Sequence, residues 1–133
     1  MKLYRTREGA VTAVNSKSQL TTVGSETAPG PLLVPTGVRS LKAVIMAVAC
    51  DLATAADGAW LIRLEGPGLP EGPEAITAGA SGAQVATGGS YANRAIRVEL
   101  DVPVTPSNEI LIFGENTGED SGTTTLGVTL EFA

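Results

Sequence analysis

Alternation with a period of two residues is the feature that most restricts this chain. In Trp60-Leu61-Ile62-Arg63-Leu64-Glu65 one face reads Trp, Ile, Leu and the other ends in Arg and Glu. Further on, Ile96, Val98, Leu100 and Val102 point one way while Arg97, Glu99 and Asp101 point the other. The last run sets Leu126, Val128, Leu130 and Phe132 against Thr125, Thr129 and Glu131. Successive side chains of a strand leave opposite faces of the sheet, so each run predicts a strand with one apolar and one polar face. No 3.6-residue apolar stripe persists with caps, and 53–56 has room for one helical turn at most. An all-β domain follows.

Two other runs lack a wet face. Residues 38–50 and 109–113 (Ile110, Leu111, Ile112, Phe113) predict central strands covered on both sides, by a second sheet, a loop or a neighbouring subunit. Weaker strands are expected at 2–7, 11–14, 19–23, 32–34, 74–78 and 83–87. Breakers separate them, among them Pro29-Gly30-Pro31, Pro35-Thr36-Gly37, Gly66-Pro67-Gly68 and Gly88-Gly89-Ser90. Asp57-Gly58 is the strongest hairpin signal and predicts direct pairing of 38–53 with 59–65.

Eight or more short strands in 133 residues fit a two-sheet β-sandwich. Jelly-roll topology is favoured; an immunoglobulin-like sandwich is the runner-up, since its buried Trp beside a disulfide cannot be built with one cysteine. Residues 1–133 read as a single domain. The stretch 1–25, poor in bulky apolar groups, is either an amino-terminal arm reaching a neighbour or a pair of edge strands.

Composition then removes most chemistries. The chain has no histidine, which excludes a Ser-His-Asp triad, a Cys-His pair and any imidazole acid or base. Its single cysteine, Cys50, cannot close an intramolecular disulfide or furnish a zinc, haem or iron–sulfur site, and its apolar context reads as a buried small hydrophobe. No cofactor is expected. Charged residues make up 17% of the chain against the roughly 25% usual for soluble proteins. With so small a domain, sparse charge implies that other subunits cover part of the surface.

The net charge of −5 hides a split. Residues 1–42 hold six of the nine basic residues and two acids, and the rest hold three basic residues and twelve acids. Basic Arg5, Arg7 and Lys17 of one subunit are therefore candidates to meet acidic Glu115, Glu119 and Asp120 of another; intermixing of the two regions within one fold is the competing reading. Nucleic acid is not an expected partner, because no concentrated basic stripe accompanies a sequence pI of about 4.6. Nor is a membrane: the longest apolar stretch, 43–50, is far short of the ~20 residues a spanning helix needs. The basic amino terminus lacks the apolar segment of a signal peptide, so intracellular synthesis and assembly are expected.

Few residues invite a ligand. Glu115, Glu119 and Asp120 offer oxygen ligands to Ca²⁺, yet their spacing matches no EF-hand, and a solvated acidic loop is the plainer reading. Gly66-Pro67-Gly68-Leu69-Pro70-Glu71-Gly72 looks like a phosphate loop, but its prolines remove N–H donors and neither Lys-Ser/Thr nor a helix follows. Fourteen acids make close carboxylate pairs unavoidable and mark none as a glycosidase pair. Stacking on a sugar would fall to Tyr4 and Tyr91, since Trp60 alternates inward with Ile62 and Leu64. The chain is not expected to be an enzyme.

The order VPTGVRSLKAVIMAVACDLATAADGAWLIRLEGPGLPEG followed by RVELDVPVTPSNEILIFGENTGEDSGTTTLGVTLEF, over residues 34–132, resembles small jelly-roll virion proteins of bacteriophages and archaeal viruses. The resemblance is one of layout: a Pro-x-Gly turn, a long apolar strand, an Asp-Gly corner, a Gly/Pro-rich loop, then VPV before another strand. It implies a capsid-decoration or coat protein, a homo-oligomer with a trimer favoured, and contact with a major capsid protein. Location in the virion after assembly in the host cytoplasm goes with it. The alternative from another class is a ligand-binding sandwich such as a carbohydrate-binding or adhesin-like module, which 4% aromatic content poorly equips.

Overall fold

A computed structural model of the chain describes residues 1–11, 17–23, 30–50, 58–80, 86–87, 90–91, 94–116 and 124–133. Its strands are β1 (Leu3–Val11), β2 (Lys17–Gln19), β3 (Leu32–Leu33), β4 (Ser40–Cys50), β5 (Gly58–Glu65) and β6 (Glu74–Ala80). There follow β7 (Ala86–Thr87), β8 (Ser90–Tyr91), β9 (Arg94–Pro103), β10 (Glu109–Asn116) and β11 (Thr124–Phe132). Among the described residues no helix occurs, so none is long and apolar enough to cross a membrane. The expected turn at 53–56 lies outside the described residues.

The first sheet runs β1-β11-β4-β9; the second runs β2-β10-β5-β6 with β3 also on β10, and β7 and β8 form a separate ribbon. Setting aside β3 and the ribbon, the chain changes sheet at every connection except β5 to β6, and its first and last strands lie side by side. That order of two interlocked Greek keys is a jelly roll, and the fold is an all-β two-sheet sandwich. The stretch 1–25 supplies an edge strand to each sheet, β1 to the first and β2 to the second.

The hairpin expected at Asp57-Gly58 does not form. β4 pairs with β11 and β9, whereas β5 pairs with β10 and β6, so the corner carries the chain from one sheet to the other. Turn chemistry specifies how sharply a chain reverses; it leaves open whether the flanking strands pair or face each other across a core. The connection that stays within one sheet is the Gly/Pro loop between β5 and β6. There Gly66 has φ 114°. A Cβ on it would lie 2.7 Å from the Glu109 carbonyl oxygen. Gly68 N–H donates to that same oxygen at 2.8 Å, and Leu69 turns inward to be 4% exposed. The loop lies as a strap on β10.

The alternating runs face each other across one core. Leu126, Val128, Leu130 and Phe132 of β11 are fully buried against Ile62 and Leu64 of β5 and Ile110 and Ile112 of β10. Each such side chain contributes about 1.5–3 kcal/mol relative to exposure. Gly114 of β10 gives room to the opposite sheet, since a Cβ there would lie 2.7 Å from Leu126 Cδ1 and 3.1 Å from Val11 Cγ2.

The two runs without a wet face occupy interior positions of their sheets, β4 between β11 and β9 and β10 between β2 and β5. Their outer faces differ. On β10, Leu111 and Phe113 are half-buried, and the Lys17 ammonium lies 4.1 Å from the centre of the Phe113 ring. On β4, Ile45 is half-buried and Ala47 exposed.

Candidate functional site

The outer face of the first sheet is low in relief. Cross-strand register places Thr6, Thr129, Ile45 and Arg97 in one row and Glu8, Gly127 and Ala47 in the next. Thr6, Glu8, Ile45, Ala47, Thr125, Gly127 and Thr129 line an open depression of about 370 Å³. It exists because the residues between β1 and β4 are small: a Cβ on Gly127 would meet nothing nearer than the Ala47 carbonyl oxygen at 4.0 Å. The hydroxyls of Thr6 and Thr129 hydrogen-bond to each other at 2.9 Å.

Beside the depression the same face carries a buried charge. Tyr4, Glu131, Ala43 and Glu99 form the neighbouring row, and Glu131 is 1% exposed although it points away from the core. Its cover is electrostatic. Lys2 Nζ approaches Oε1 at 3.1 Å, and the Arg97 guanidinium approaches Oε2 at 2.5 Å. Oε2 has no partner in good hydrogen-bond geometry, so the Arg97 contact is an ion pair by proximity. Arg97 first, and then Lys2, hold the Glu131 carboxyl below its ordinary pKa against the upward push of burial. Glu99 and then Glu131 in turn raise the pKa of the Arg97 guanidinium. The cluster ties the segment before β1 to β9 across the width of the sheet. The sequence pattern puts Glu131 on the correct face and gives no sign that residues from both edges close over it.

The outer face of the second sheet is covered by its own long side chains. Lys17 bonds Glu65 at 3.2 Å, and Arg63 Nε approaches Glu115 at 3.5 Å. Two of the residues proposed to meet between subunits, Lys17 and Glu115, are thus direct register partners within one chain, each paired with a β5 residue. Arg5 is exposed and donates to the Tyr4 carbonyl at 2.9 Å. Arg7 is half-buried and donates from Nε to the Gly30 carbonyl at 2.9 Å; burial, then Arg5, lower its pKa. Glu119 and Asp120 lie outside the described residues. The basic early and acidic late segments are intermixed by the fold, as Lys2 with Glu131 also shows.

Among the described residues no group of three or more Cys, Asp or Glu is placed to hold a metal ion, and Glu115 of the Ca²⁺ candidate faces Arg63. Trp60 is 3% exposed and unfit for stacking on a ligand; Tyr4 is 49% exposed, and the side chains of Tyr91 and Cys50 lie outside the described residues.

No protein-family model and no curated protein sequence matches the chain. Solved structures match at low identity. The PRD1 vertex protein P5 superposes with a TM-score of 0.51 at 13% identity, over 98% of this chain and 96% of that one. The xylan-binding module CBM15 gives 0.48 at 12% identity, over 100% and 97% of the two chains. A decameric BFDV capsid protein gives 0.40 at 10% identity, over 99% and 94%. The likeness to P5 is one of fold: a β-sandwich matched across nearly the whole of both chains. The layout resemblance to virion proteins is thereby matched in three dimensions.

Proposed function

We propose that this protein is a structural component of a bacteriophage or archaeal virus, a jelly-roll coat or capsid-decoration subunit that acts through contacts with copies of itself and with a major capsid protein. The observation that carries the reading is the strand order β1-β11-β4-β9 over β2-β10-β5-β6, together with a fold shared end to end with a protein named for a vertex. Physical features support it. On the outer face of the first sheet Glu131 is held by Lys2 and Arg97, and small residues surround a shallow depression, so another protein can pack there with that buried charge already matched. On the second sheet's outer face Lys17 pairs with Glu65 and Arg63 with Glu115 within the chain. A net charge of −5 suits a shell's exterior better than contact with packaged nucleic acid. The layout resemblance favours a trimer, assembled in the host cytoplasm and located in the virion.

The test is mass and location. Light scattering at micromolar concentration is expected to give a multiple of the 13.5 kDa chain, and the protein is expected to co-sediment with particles from producing cells. A monomer that never associates with particles overturns the proposal. If such a monomer bound glycans and lost that binding in Tyr91→Ala, the ligand-binding sandwich would take its place.

A further inference from the structure

The two edges of the first sheet are built differently. On β1, Arg5 and Arg7 stand opposite Leu130 and Val128, on the face turned toward the core. Arg7 reaches over the rim to the carbonyls of Gly30 and Pro31, at 2.9 and 3.4 Å. Beyond it, Glu8 and Thr22 exchange backbone hydrogen bonds at 2.7 and 3.1 Å. Inward charge and local pairing are devices that stop an edge strand from recruiting another chain. β9 has neither. It is 10 residues long, and among the described residues it pairs with β4 alone. After Arg94 its inward positions Ile96, Val98, Leu100 and Val102 are apolar and only partly buried. Proline stands only at its last position, Pro103. An edge strand also turns alternate N–H and C=O groups outward, which leaves a ready template along β9.

We propose that β9 pairs antiparallel with β9 of a second copy of this chain, centred on Val98. The inference rests on the homo-oligomeric reading above and names the surface. Register decides the centre. A continuous sandwich requires residues of the same face to stand opposite each other, which excludes pairing an inward residue with an outward one. With Val98 opposite its own copy, Ile96 faces Leu100 and Arg97 faces Glu99 of the second copy, each twice by symmetry. Centring on Glu99 or on Arg97 instead would oppose like charges directly. The Val98 register suits both faces: inward, Val98 meets its copy and Ile96 meets Leu100, with Arg94 opposite Val102 at the margin, and outward, Arg97 and Glu99, already in contact within the chain, continue as an alternating network across the two-fold. The product is one sheet of eight strands made from two four-stranded ones. A two-fold contact is compatible with a three-fold one, since both coexist in D3 assemblies.

Cross-linking reads the register. Residues directly opposite in an antiparallel pair have Cα atoms about 4.5–5.5 Å apart, within disulfide reach. In a Cys50→Ala background, Val98→Cys is expected to form a disulfide-linked dimer on mild oxidation. Ile96→Cys alone is not, because the two copies of residue 96 would lie roughly 13 Å apart. Glu99→Arg, a change at a 71% exposed side chain, provides a second readout that does not depend on core packing. It is expected to weaken association about tenfold in sedimentation equilibrium by opposing arginines. If the wild type is oligomeric but Val98→Cys fails to cross-link, cross-links no better than Ile96→Cys, or Glu99→Arg associates unchanged, the β9 interface is wrong while the virion reading stands. A wild type that is monomeric yet particle-bound likewise overturns only the β9 pairing. A monomer that binds no particle overturns both.

Discussion

The outer faces of the two sheets each carry a carboxylate paired with an arginine, and the two pairs do opposite things. Glu131 on the first sheet is 1% exposed and held by two cations that come from different edges of the sheet. Glu115 on the second sheet is 16% exposed and meets Arg63, itself 41% exposed, at 3.5 Å. Glu131 stands in register between Tyr4 and Ala43, and its two counter-ions, Lys2 and Arg97, close over it. Around Glu115 the face carries long side chains, with Lys17 lying over the Phe113 ring. One carboxylate fastens the sheet's edges together; the other belongs to a cover.

Removing the fastening is expected to have the largest effect. Glu131→Gln leaves Lys2 and Arg97 close together without the negative charge between them, and the melting temperature at pH 7 should fall more than for any single charge removed from the second sheet. The pH dependence identifies the cause. Because Glu131 titrates below its ordinary range when folded, its contribution is complete above the unfolded-state value of about 4.3 and is lost as pH falls through the depressed folded value. The gap between wild type and Glu131→Gln should therefore be full at neutral pH and close in acid. Asp101, also lowered in pKa, chiefly by a hydrogen bond from Lys42, adds to the same acid limb, but it is 76% exposed and screened by salt. A gap that stays constant with pH, measured in about 0.5 M salt to suppress Asp101, would remove the ion cluster from the explanation.

The same contrast explains what the sequence makes legible. Strands at 60–65, 96–102 and 125–132 are visible because each has one wet and one dry face, and the sheet preserves that alternation. The partner of β4 is not visible. Its apolar run carries no face information, so Asp57-Gly58 suggests a hairpin where the chain in fact changes sheets. Glu131 looks like any outward residue beside Thr125 and Thr129, since periodicity assigns a face without saying what lies over it. Its cover comes from Lys2 at the start of the chain and from Arg97, which no local pattern links to it. The early-basic, late-acidic split is equally real in the sequence, and it is closed within the fold by Lys17 with Glu65 and Lys2 with Glu131.

On the second sheet the apolar part of the cover should matter more than its charges. Phe113→Ala removes a half-buried ring and the platform under the Lys17 ammonium, at a cost of about 1–2 kcal/mol in urea unfolding. The Lys17–Glu65 pair, with side chains 43% and 36% exposed, should yield no more than about 0.5 kcal/mol in a double-mutant cycle, and less as salt is added. A coupling larger than the Phe113→Ala loss would reverse the ranking and make this face an electrostatic clamp like the first.

The smallest effect on stability is expected where the first sheet is emptiest. Gly127 lines the depression, and a Cβ added there meets nothing nearer than 4.0 Å. Glycine inside a strand costs backbone entropy and a β-branched residue suits a pleated surface, so Gly127→Val should leave stability within about 0.5 kcal/mol of wild type or raise it slightly. A loss above about 1 kcal/mol would mean that the depression is closed in the folded protein. If that loss appeared only at concentrations where the protein associates, the cover would be another copy lying on this face. The contrast between the two outer faces would then be between one surface covered by its own side chains and one completed by a neighbour.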